Sequence, residues 1–399
     1  MLRFVPPAGA PLKITQILRA LKTVLSSNDR AGESLTFCAA GLHVEHVFGV
    51  SSGRAALWLI LKSLQRLRPE RDVVAVPAYT CFSVPASVVR AGLKIHPVEI
   101  DPRTLDFDLS QLDALPDKRL LCIVTSNLFG FVNDLPHVRQ AAQAKGAFVL
   151  DDAAQALGAM RNGQFSGTLG DVGLYSLGRG KAVAAMQGGL IVTNFEEIAR
   201  IVQEEAKNLN GPSLTHGAVL FLQMLVYSVF LRPRLYWIPN SLPFLKLGVT
   251  EFNPAFPTKE LHPLYRTLLP KLLDGLEEIN QIRRANARAI AEALAGSPDF
   301  DFPRPAANTS PTFVRLPVVA RDELTRERAV GRLRSAGIGA SAFYPSAICD
   351  IAGIEPHMSA RDFHCKHAEL LSQRLFTLPV NPFVRPQDVE RMVDILIDS

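Results

Sequence analysis

Between Val47 and Asn194 the chain alternates short β-branched runs with helical stretches, and this alternation most narrows what it can fold into. A strand, a helix and a further strand in succession make a crossover unit, so the strands lie parallel in an α/β fold. The expected strands are Asp72–Pro77 (DVVAVP), Leu93–Ile100 (LKIHPVEI), Leu120–Asn127 (LLCIVTSN), Ala147–Asp152 (AFVLDD), Asp171–Leu177 (DVGLYSL) and Gly188–Asn194 (GGLIVTN). Helices are expected after Gly53 (GRAALWLILKSLQRL) and before Phe148 (LPHVRQAAQAKG). Ligands of such sheets collect outside the carboxyl ends of the strands, where the polar residues of this chain also cluster.

At 399 residues there is room for a large core and a smaller second unit. A helix is expected after Glu196, then a Pro-rich and aromatic region over Gly211–Pro263, then a long helical pattern over Leu268–Gly296. Strand Thr312–Val319, a helix over Glu323–Ala336 and a closing helix RPQDVERMVDILID read as a small α+β unit. The expected division is 1–270 for the large domain and 271–399 for the small one.

Lys plus Arg number 43 against 38 Asp plus Glu, and the basic residues are scattered, which argues against nucleic acid as a partner. A mildly basic balance suits anionic small substrates or an anionic membrane surface. Five cysteines without a CxxC pair, and no signal peptide ahead of them, fit a reduced, cytoplasmic protein. The cluster His364–His367 (HCKH) lacks a complementary pair at finger-like spacing, so it reads as helix surface and no metal is expected. The apolar run Ala218–Leu231 carries Gln223 and Ser228 and is too short to span a bilayer, which takes about 20 residues. It reads as a buried helix or as one lying on a membrane or partner surface with Arg232–Trp237 (RPRLYW) as its flank. Peripheral contact with the inner membrane through 218–237 therefore stays open.

Three stretches carry chemistry together that none carries alone. SSGRAALWLILKSL, from Ser51, opens a helix with a Ser-Gly turn whose free N–H groups suit an anion, or simply cap the helix. VLDDAAQALGA, from Val149, ends a strand in Asp152 with Gln155 three residues on; the bland alternative is again a cap. YSLGRGKAVAAMQGGLIVTN, from Tyr175, sets Ser176 and Lys181 on a Gly-rich turn, where a lysine is otherwise expected only as a solvated charge. Pyridoxal phosphate needs all three: a lysine to form a Schiff base, a carboxylate to keep the pyridine nitrogen protonated, and donors for its phosphate.

With SSGRAAL, VPAYTCFSVPASVVRAGLKIHPVEIDPRTLDFD, NLFGFVND, LDDAAQALGA, GTLGDVGLYSLGRGKAVAAMQGGLIVTN and LPVNPFVRPQDVERMVDIL in this order, the chain resembles the DegT/DnrJ/StrS family of pyridoxal-phosphate aminotransferases. The resemblance implies fold type I: a mainly parallel seven-stranded sheet in an α/β/α sandwich and a small C-terminal domain. By it, Lys181 is the Schiff-base lysine, Asp152 pairs with the ring nitrogen, Gln155 contacts the cofactor, and Ser176 with Ser52–Gly53–Arg54 holds the phosphate. It also implies a homodimer with sites at the subunit interface, and amino transfer from an amino acid such as glutamate to a nucleotide- or lipid-linked keto sugar, as in polysaccharide biosynthesis.

The chain departs from the family at four places. Arg54 stands where Thr is usual, and serves the phosphate or the substrate. Cys81 occupies the position of the aromatic that covers the ring, and its neighbours Tyr79 and Phe82 stay open as alternatives for that role. The segment 214–250 is an insertion. The element that reaches the partner's phosphate is reduced to EFNPAFPTKEL, with Asn253 as counterpart. The lysine at 181 speaks against the family's dehydratases, in which it is replaced. A lyase or acyl-transferring condensation on the same fold, or a non-catalytic membrane-associated sensor, stays open as an alternative.

Overall fold

The computed structural model describes residues 3–26, 31–116, 118–183, 185–242, 248 and 250–398. Its large sheet contains β1 (His46–Val50), β2 (Val73–Pro77), β3 (Lys94–Val98), β4 (Leu120–Ser126), β5 (Phe148–Asp152), β6 (Val172–Ser176) and β7 (Gly189–Thr193). Their order across the sheet is β1-β7-β6-β5-β4-β2-β3. Neighbours from β3 to β6 pair in parallel, and β7 runs antiparallel to both β6 and β1. The six expected strands are present, each trimmed by a residue or more at its ends, and the sheet has seven strands as the resemblance implied.

The two-residue period of a strand divides these apolar runs between the two faces. Val74, Val76, Cys122, Val124, Leu150, Val172, Leu174 and Ile191 pack on helices Gly53–Leu67 (α3), Ser83–Arg90 (α4) and Glu196–Ala206 (α6). Val73, Ala75, Ile123 and Val149 face Leu135–Ala144 (α5). Tyr175, Leu190 and Val192 join a core that also takes in Ile14–Leu25 (α1), Ala31–Leu42 (α2), Leu214–Phe230 (α7) and Pro263–Leu273 (α8). Of the insertion, 243–247 and 249 lie outside the described residues.

The long helical pattern is broken in two. Gly275, a poor helix residue, stands between α8 and Leu276–Ala293 (α9). A second sheet follows, ordered β8 (Phe300–Asp301), β9 (Leu316–Ala320), β11 (Leu375–Leu378) and β10 (Ser341–Ala342), all neighbours antiparallel. Helices Glu323–Ser335 (α10), Lys366–Arg374 (α11) and Pro386–Ile397 (α12) surround it. Its core has Val318, Leu333, Phe376 and Met392 at its centre and takes in Val5 from the N-terminal segment. Strand β9 is shorter than expected because Thr312 and Val314 donate instead to the carbonyls of Gly130 (3.2 Å) and Phe129 (3.0 Å) beside the first sheet. This crossing brings the second unit against the carboxyl edge of β4 and β5.

Candidate active site

The carboxyl ends of β4, β5 and β6 place Ser126, Asp152 and Ser176 along one rim. Adjacent residues of a strand face opposite sides, so the two carboxylates of LDD have different fates. Asp151 is wholly buried and accepts from Asn127 Nδ2 (2.7 Å), the Gly167 N–H (2.6 Å) and the Leu169 N–H (3.3 Å). It is a structural group. Asp152 takes the Ala154 N–H on Oδ1 at 2.8 Å. Burial pushes its pKa up to about 6, while the nearby Lys181 cation draws it down. The cap expected of Asp152 as the bland alternative is thus a short turn, with no helix following it.

Lys181 sits on the turn after β6. Gly180, just before it, has φ +72°, a conformation that side-chain-bearing residues adopt at a cost. The Lys181 N–H donates to the Gly178 carbonyl at 3.3 Å. From α9, the fully buried Arg283 donates to the Ala182 carbonyl at 3.0 Å, the Gly9 carbonyl at 3.2 Å and Asn280 Oδ1 at 2.9 Å. Burial lowers the pKa of Arg283 to about 10. An interior arginine therefore clamps the backbone one residue beyond the lysine, and nothing in the local sequence signalled this.

Strand β1 ends at the same rim, and Ser52 caps α3 by accepting the Ala55 N–H at 3.1 Å. A Cβ on Gly53 would stand 2.9 Å from Ser176 Cβ and 3.1 Å from Ser176 Oγ, so the start of the helix and the end of β6 touch only because residue 53 is glycine. The first N–H groups of a helix have no partner within it and carry the positive end of its dipole. Here they open beside a serine hydroxyl, a cradle suited to phosphate. Arg54 sends its guanidinium elsewhere, 5.2 Å over the Phe256 ring, which Arg90 also covers at 4.6 Å.

The other predicted residues are placed as follows. Gln155 is buried, donates to the Tyr344 hydroxyl (2.9 Å) and accepts the Phe129 N–H (3.3 Å). Tyr79 is fully buried against Tyr344, with ring centroids 5.4 Å apart, and Phe82 is buried under α3, whereas Cys81 is half-buried and accepts from Ser83 Oγ at 2.9 Å. Asn253 is exposed, with its carboxamide oxygen on the Ala255 N–H at 2.8 Å. The HCKH stretch runs into α11, whose first N–H groups, those of His367 and Ala368, are taken by the buried Glu99 carboxylate at 2.9 and 3.0 Å. All five cysteines are free thiols.

Sequence reading missed the opposite wall. Arg315, just before β9, stacks at 5.0 Å over Phe343 and makes one long hydrogen bond, 3.5 Å, to Ser341 Oγ. Its Nη2 would be 3.7 Å from a Cβ on Gly180, so the second unit delivers a cation to the turn that carries Lys181. Burial lowers its pKa to about 10, with the Tyr236 and Tyr344 hydroxyls opposing this, and among the described residues no carboxylate pairs with it. A half-buried cation with no carboxylate paired to it among the described residues is suited to take up an anion.

The profile of the DegT/DnrJ/EryC1/StrS aminotransferase family matches residues 31–210 and 266–397, more than half of the chain. The chain belongs to this family. It is accordingly a pyridoxal-phosphate-dependent aminotransferase acting on small molecules. A relative named UDP-N-acetyl-3-dehydro-α-D-glucosamine 3-aminotransferase, from Acidithiobacillus ferrooxidans, is 26% identical over 96% of this chain and 91% of its own. GDP-4-keto-6-deoxy-D-mannose 3-dehydratase of Yersinia pseudotuberculosis is 26% identical over 72% and 70%. Among solved structures, DesV of S. venezuelae, in complex with a ketimine intermediate, matches with TM-score 0.76 and 23% identity over 96% of this chain and 94% of that one. The likeness confirms the α/β fold that the alternating pattern predicted. The site's residues suit the family's cofactor: a buried acid with one oxygen engaged, a lysine nearby, and a glycine-lined cradle that a methyl group would fill.

Proposed function

We propose that the enzyme transfers an amino group from an amino-acid donor, glutamate in the simplest case, to the keto carbon of a nucleotide-linked sugar, working as a homodimer. The observation that carries this is the meeting of Asp152, Ser176 and Lys181 at one sheet rim, in a chain similar along 96% of its length to an aminotransferase of a nucleotide-linked keto sugar. Lys181, in place where the dehydratases lack it, supports amino transfer.

Pyridoxal phosphate, when bound, supplies an aldehyde to receive the nitrogen and a ring to take up the electron pair released from the substrate carbon. Lys181 Nζ would be the group that holds the cofactor's aldehyde. The same amine would take the proton from the donor's Cα as general base and return it to the acceptor side as general acid, a role worth about 10²–10⁴-fold in rate. The ionised Asp152 carboxylate keeps the ring nitrogen protonated. Ser52, Gly53 and Ser176 hold the phosphate through the hydroxyls and the first N–H groups of α3. Gln155, fixed by Tyr344 and the Phe129 N–H, would contact the cofactor with its amide, and half-buried Cys81, at the position where an aromatic is usual, would adjoin it. Arg315 receives the donor's carboxylate beside Lys181. Asn253, on its exposed segment, reaches the phosphate of the partner subunit.

Two half-reactions test the reading. Glutamate alone should convert the bound cofactor to the aminated form absorbing at roughly 330 nm. That form, offered UDP-, GDP- and TDP-linked keto sugars, should yield a product carrying the donor nitrogen by mass spectrometry. A cofactor that cycles with glutamate while every nucleotide-linked sugar returns unchanged would overturn the acceptor assignment.

A further inference from the structure

Two segments lie outside the residues matched to the family: the N-terminal stretch ahead of residue 31 and the insertion after residue 210. They are built onto each other. The Phe4 N–H donates to the Pro233 carbonyl at 2.8 Å, the Phe4 and Tyr236 rings lie 5.9 Å apart, Gly9 abuts Leu231, and α1 packs along α7.

Their charge sets them apart from the rest of the molecule. Residues 1–28 carry Arg3, Lys13, Arg19 and Lys22, residues 211–250 carry Arg232, Arg234 and Lys246, and neither stretch has an Asp or Glu. Of the 43 basic and 38 acidic residues this leaves 36 and 38 elsewhere, so the net positive charge of the chain resides wholly in these two pieces.

Their outer face is apolar where a monomer's should be polar. Helix α7 contains no charged residue; Leu220 and Met224 point into the core, while Val219, Leu222 (61% exposed) and Val226 form a stripe on the outside. On α1 the buried residues are Ile17 and Ala20; Ile14, Leu18 and Leu25 (73% exposed) face outward, interleaved with exposed Lys13, Arg19 and Lys22. Trp237 is also exposed, just past Arg232 and Arg234. Those two arginines open onto a cleft of about 570 Å³ together with Arg3 and Arg385. Apolar side chains ringed by long cationic ones that can extend away from them, a tryptophan at the margin and an arginine-lined recess are what a phospholipid interface accepts. Among the described residues no helix is long and apolar enough to cross a membrane, so such a face would lie on one.

From this we infer that α1 and α7 together form a docking surface for an anionic phospholipid bilayer. The apolar stripe enters the headgroup boundary, and the exposed Lys13, Arg19, Lys22, Arg232 and Arg234 face lipid phosphates, whereas Arg3 is held by Asp388 and the Phe383 carbonyl. Each basic side chain near the surface contributes about a fivefold preference for an anionic membrane, and salt screens it.

The test is flotation of the purified holoenzyme with vesicles of phosphatidylcholine alone and of phosphatidylcholine containing phosphatidylglycerol. Co-flotation with the anionic vesicles only, diminishing at high salt, is the expected result, with a blue shift of tryptophan emission that disappears in Trp237→Phe. Arg232→Glu with Arg234→Glu should weaken binding more than about twentyfold. Leu222→Asp with Val226→Asp should weaken it at least about tenfold while amino transfer and cofactor absorbance stay unchanged, showing that the variant is folded. Absence from both floats, or equal flotation with neutral and anionic vesicles, overturns the proposal. So does a fall from dimer to monomer in light scattering of the Leu222→Asp, Val226→Asp variant, which would make this face a subunit interface. Flotation is read without turnover, so its failure leaves the amino-transfer reading untouched.

Discussion

The two walls of the active-site cleft are built on different principles. The wall made by the sheet rim and the turn after β6 comes from residues 52–53 and 152–181, each at the end of a strand or the start of a helix, where local pattern fixes its place. The facing wall, Arg315, Phe343 and Tyr344, comes from loops more than a hundred residues further on, which reach the cleft because Thr312 and Val314 bond to Gly130 and Phe129. On the function proposed, the near wall serves the cofactor and Arg315 of the far wall serves what the cofactor acts upon. That division places the chemistry on locally determined residues and substrate binding on long-range ones, and substitutions that fail to separate the two would break it.

The largest effect is expected at Lys181. Lys181→Ala removes both the covalent tether and the general base, so turnover should fall by at least about 10³-fold. Borohydride should fix cofactor to the peptide containing residue 181 in the wild type and leave the variant unlabelled. A variant turning over at the wild-type rate would dissolve the assignment of the near wall.

Arg315→Leu tests the far wall. A charge-assisted pair to a carboxylate is worth about 1.5–3 kcal/mol, so KM for the donor should rise about 10- to 100-fold. The second half-reaction, begun from enzyme already carrying the amino group and with a sugar acceptor lacking a carboxylate, should keep its rate within a few-fold. An equal loss in both halves would mean that Arg315 supports the near wall instead.

How much of each wall was legible follows from the same contrast. Asp152, Ser176 and Lys181 stand out because strand ends and glycine turns have local signatures, and their chain order adds a constraint that no single residue carries. The strands were legible for the same reason, since apolar β-branched runs bounded by turns need no distant partner to be recognised. Arg315 gives no such signal: what singles it out is that, among the described residues, no carboxylate pairs with it, a property of the folded molecule. Arg283 was hidden likewise, because an arginine on a helix reads as a solvated charge until the carbonyls of Ala182 and Gly9 are found to accept its N–H groups. The break at Gly275 is invisible in the pattern because the apolar periodicity continues on both sides of it. Sequence alone does not choose the ring-covering residue among Tyr79, Cys81 and Phe82, as three neighbours in one loop differ in burial only once packed.

Asp152 gives a pH-dependent test confined to the near wall. In the apoprotein its pKa is raised from 3.8 to about 6 by burial. Below pH ~4 the group is neutral in both folded and unfolded chains and costs nothing. As pH rises through about 4–6 the unfolded chain ionises freely while the folded one resists, so the penalty grows; above pH ~6 it is complete, on the order of 3 kcal/mol. Apo Asp152→Asn should therefore be more stable than apo wild type at pH 7–8, the gap closing towards pH 4 in denaturant titrations. Asp106, also raised to about 6, is common to both proteins and cancels. With cofactor bound the order should reverse, since a neutral amide cannot hold the ring nitrogen protonated. A gap independent of pH would show that the variant differs through packing and not through charge.

The smallest effect is expected where the walls meet. A methyl group on Gly180 would find Arg315 Nη2 at 3.7 Å and Ala8 Cβ at 3.9 Å, both ordinary contacts, so sterics alone permit alanine. The backbone does not welcome it: φ +72° costs an alanine about 1–2 kcal/mol relative to glycine. Gly180→Ala should thus lower stability by about that amount, with part of the cost relieved by relaxation of the turn carrying Lys181. Gly53→Ala poses the opposite problem, a clash at 2.9 Å with Ser176 Cβ that can be relieved only by moving the helix start or the strand end apart. The two glycines should therefore separate cleanly. Gly180→Ala should reduce kcat by several-fold with cofactor affinity nearly intact, whereas Gly53→Ala should release cofactor at least about tenfold more readily, as measured by equilibrium dialysis. If both variants lost cofactor alike, the phosphate cradle would extend to the lysine turn, and the division between holding the cofactor and moving protons on its substrate would have to be redrawn within the near wall itself.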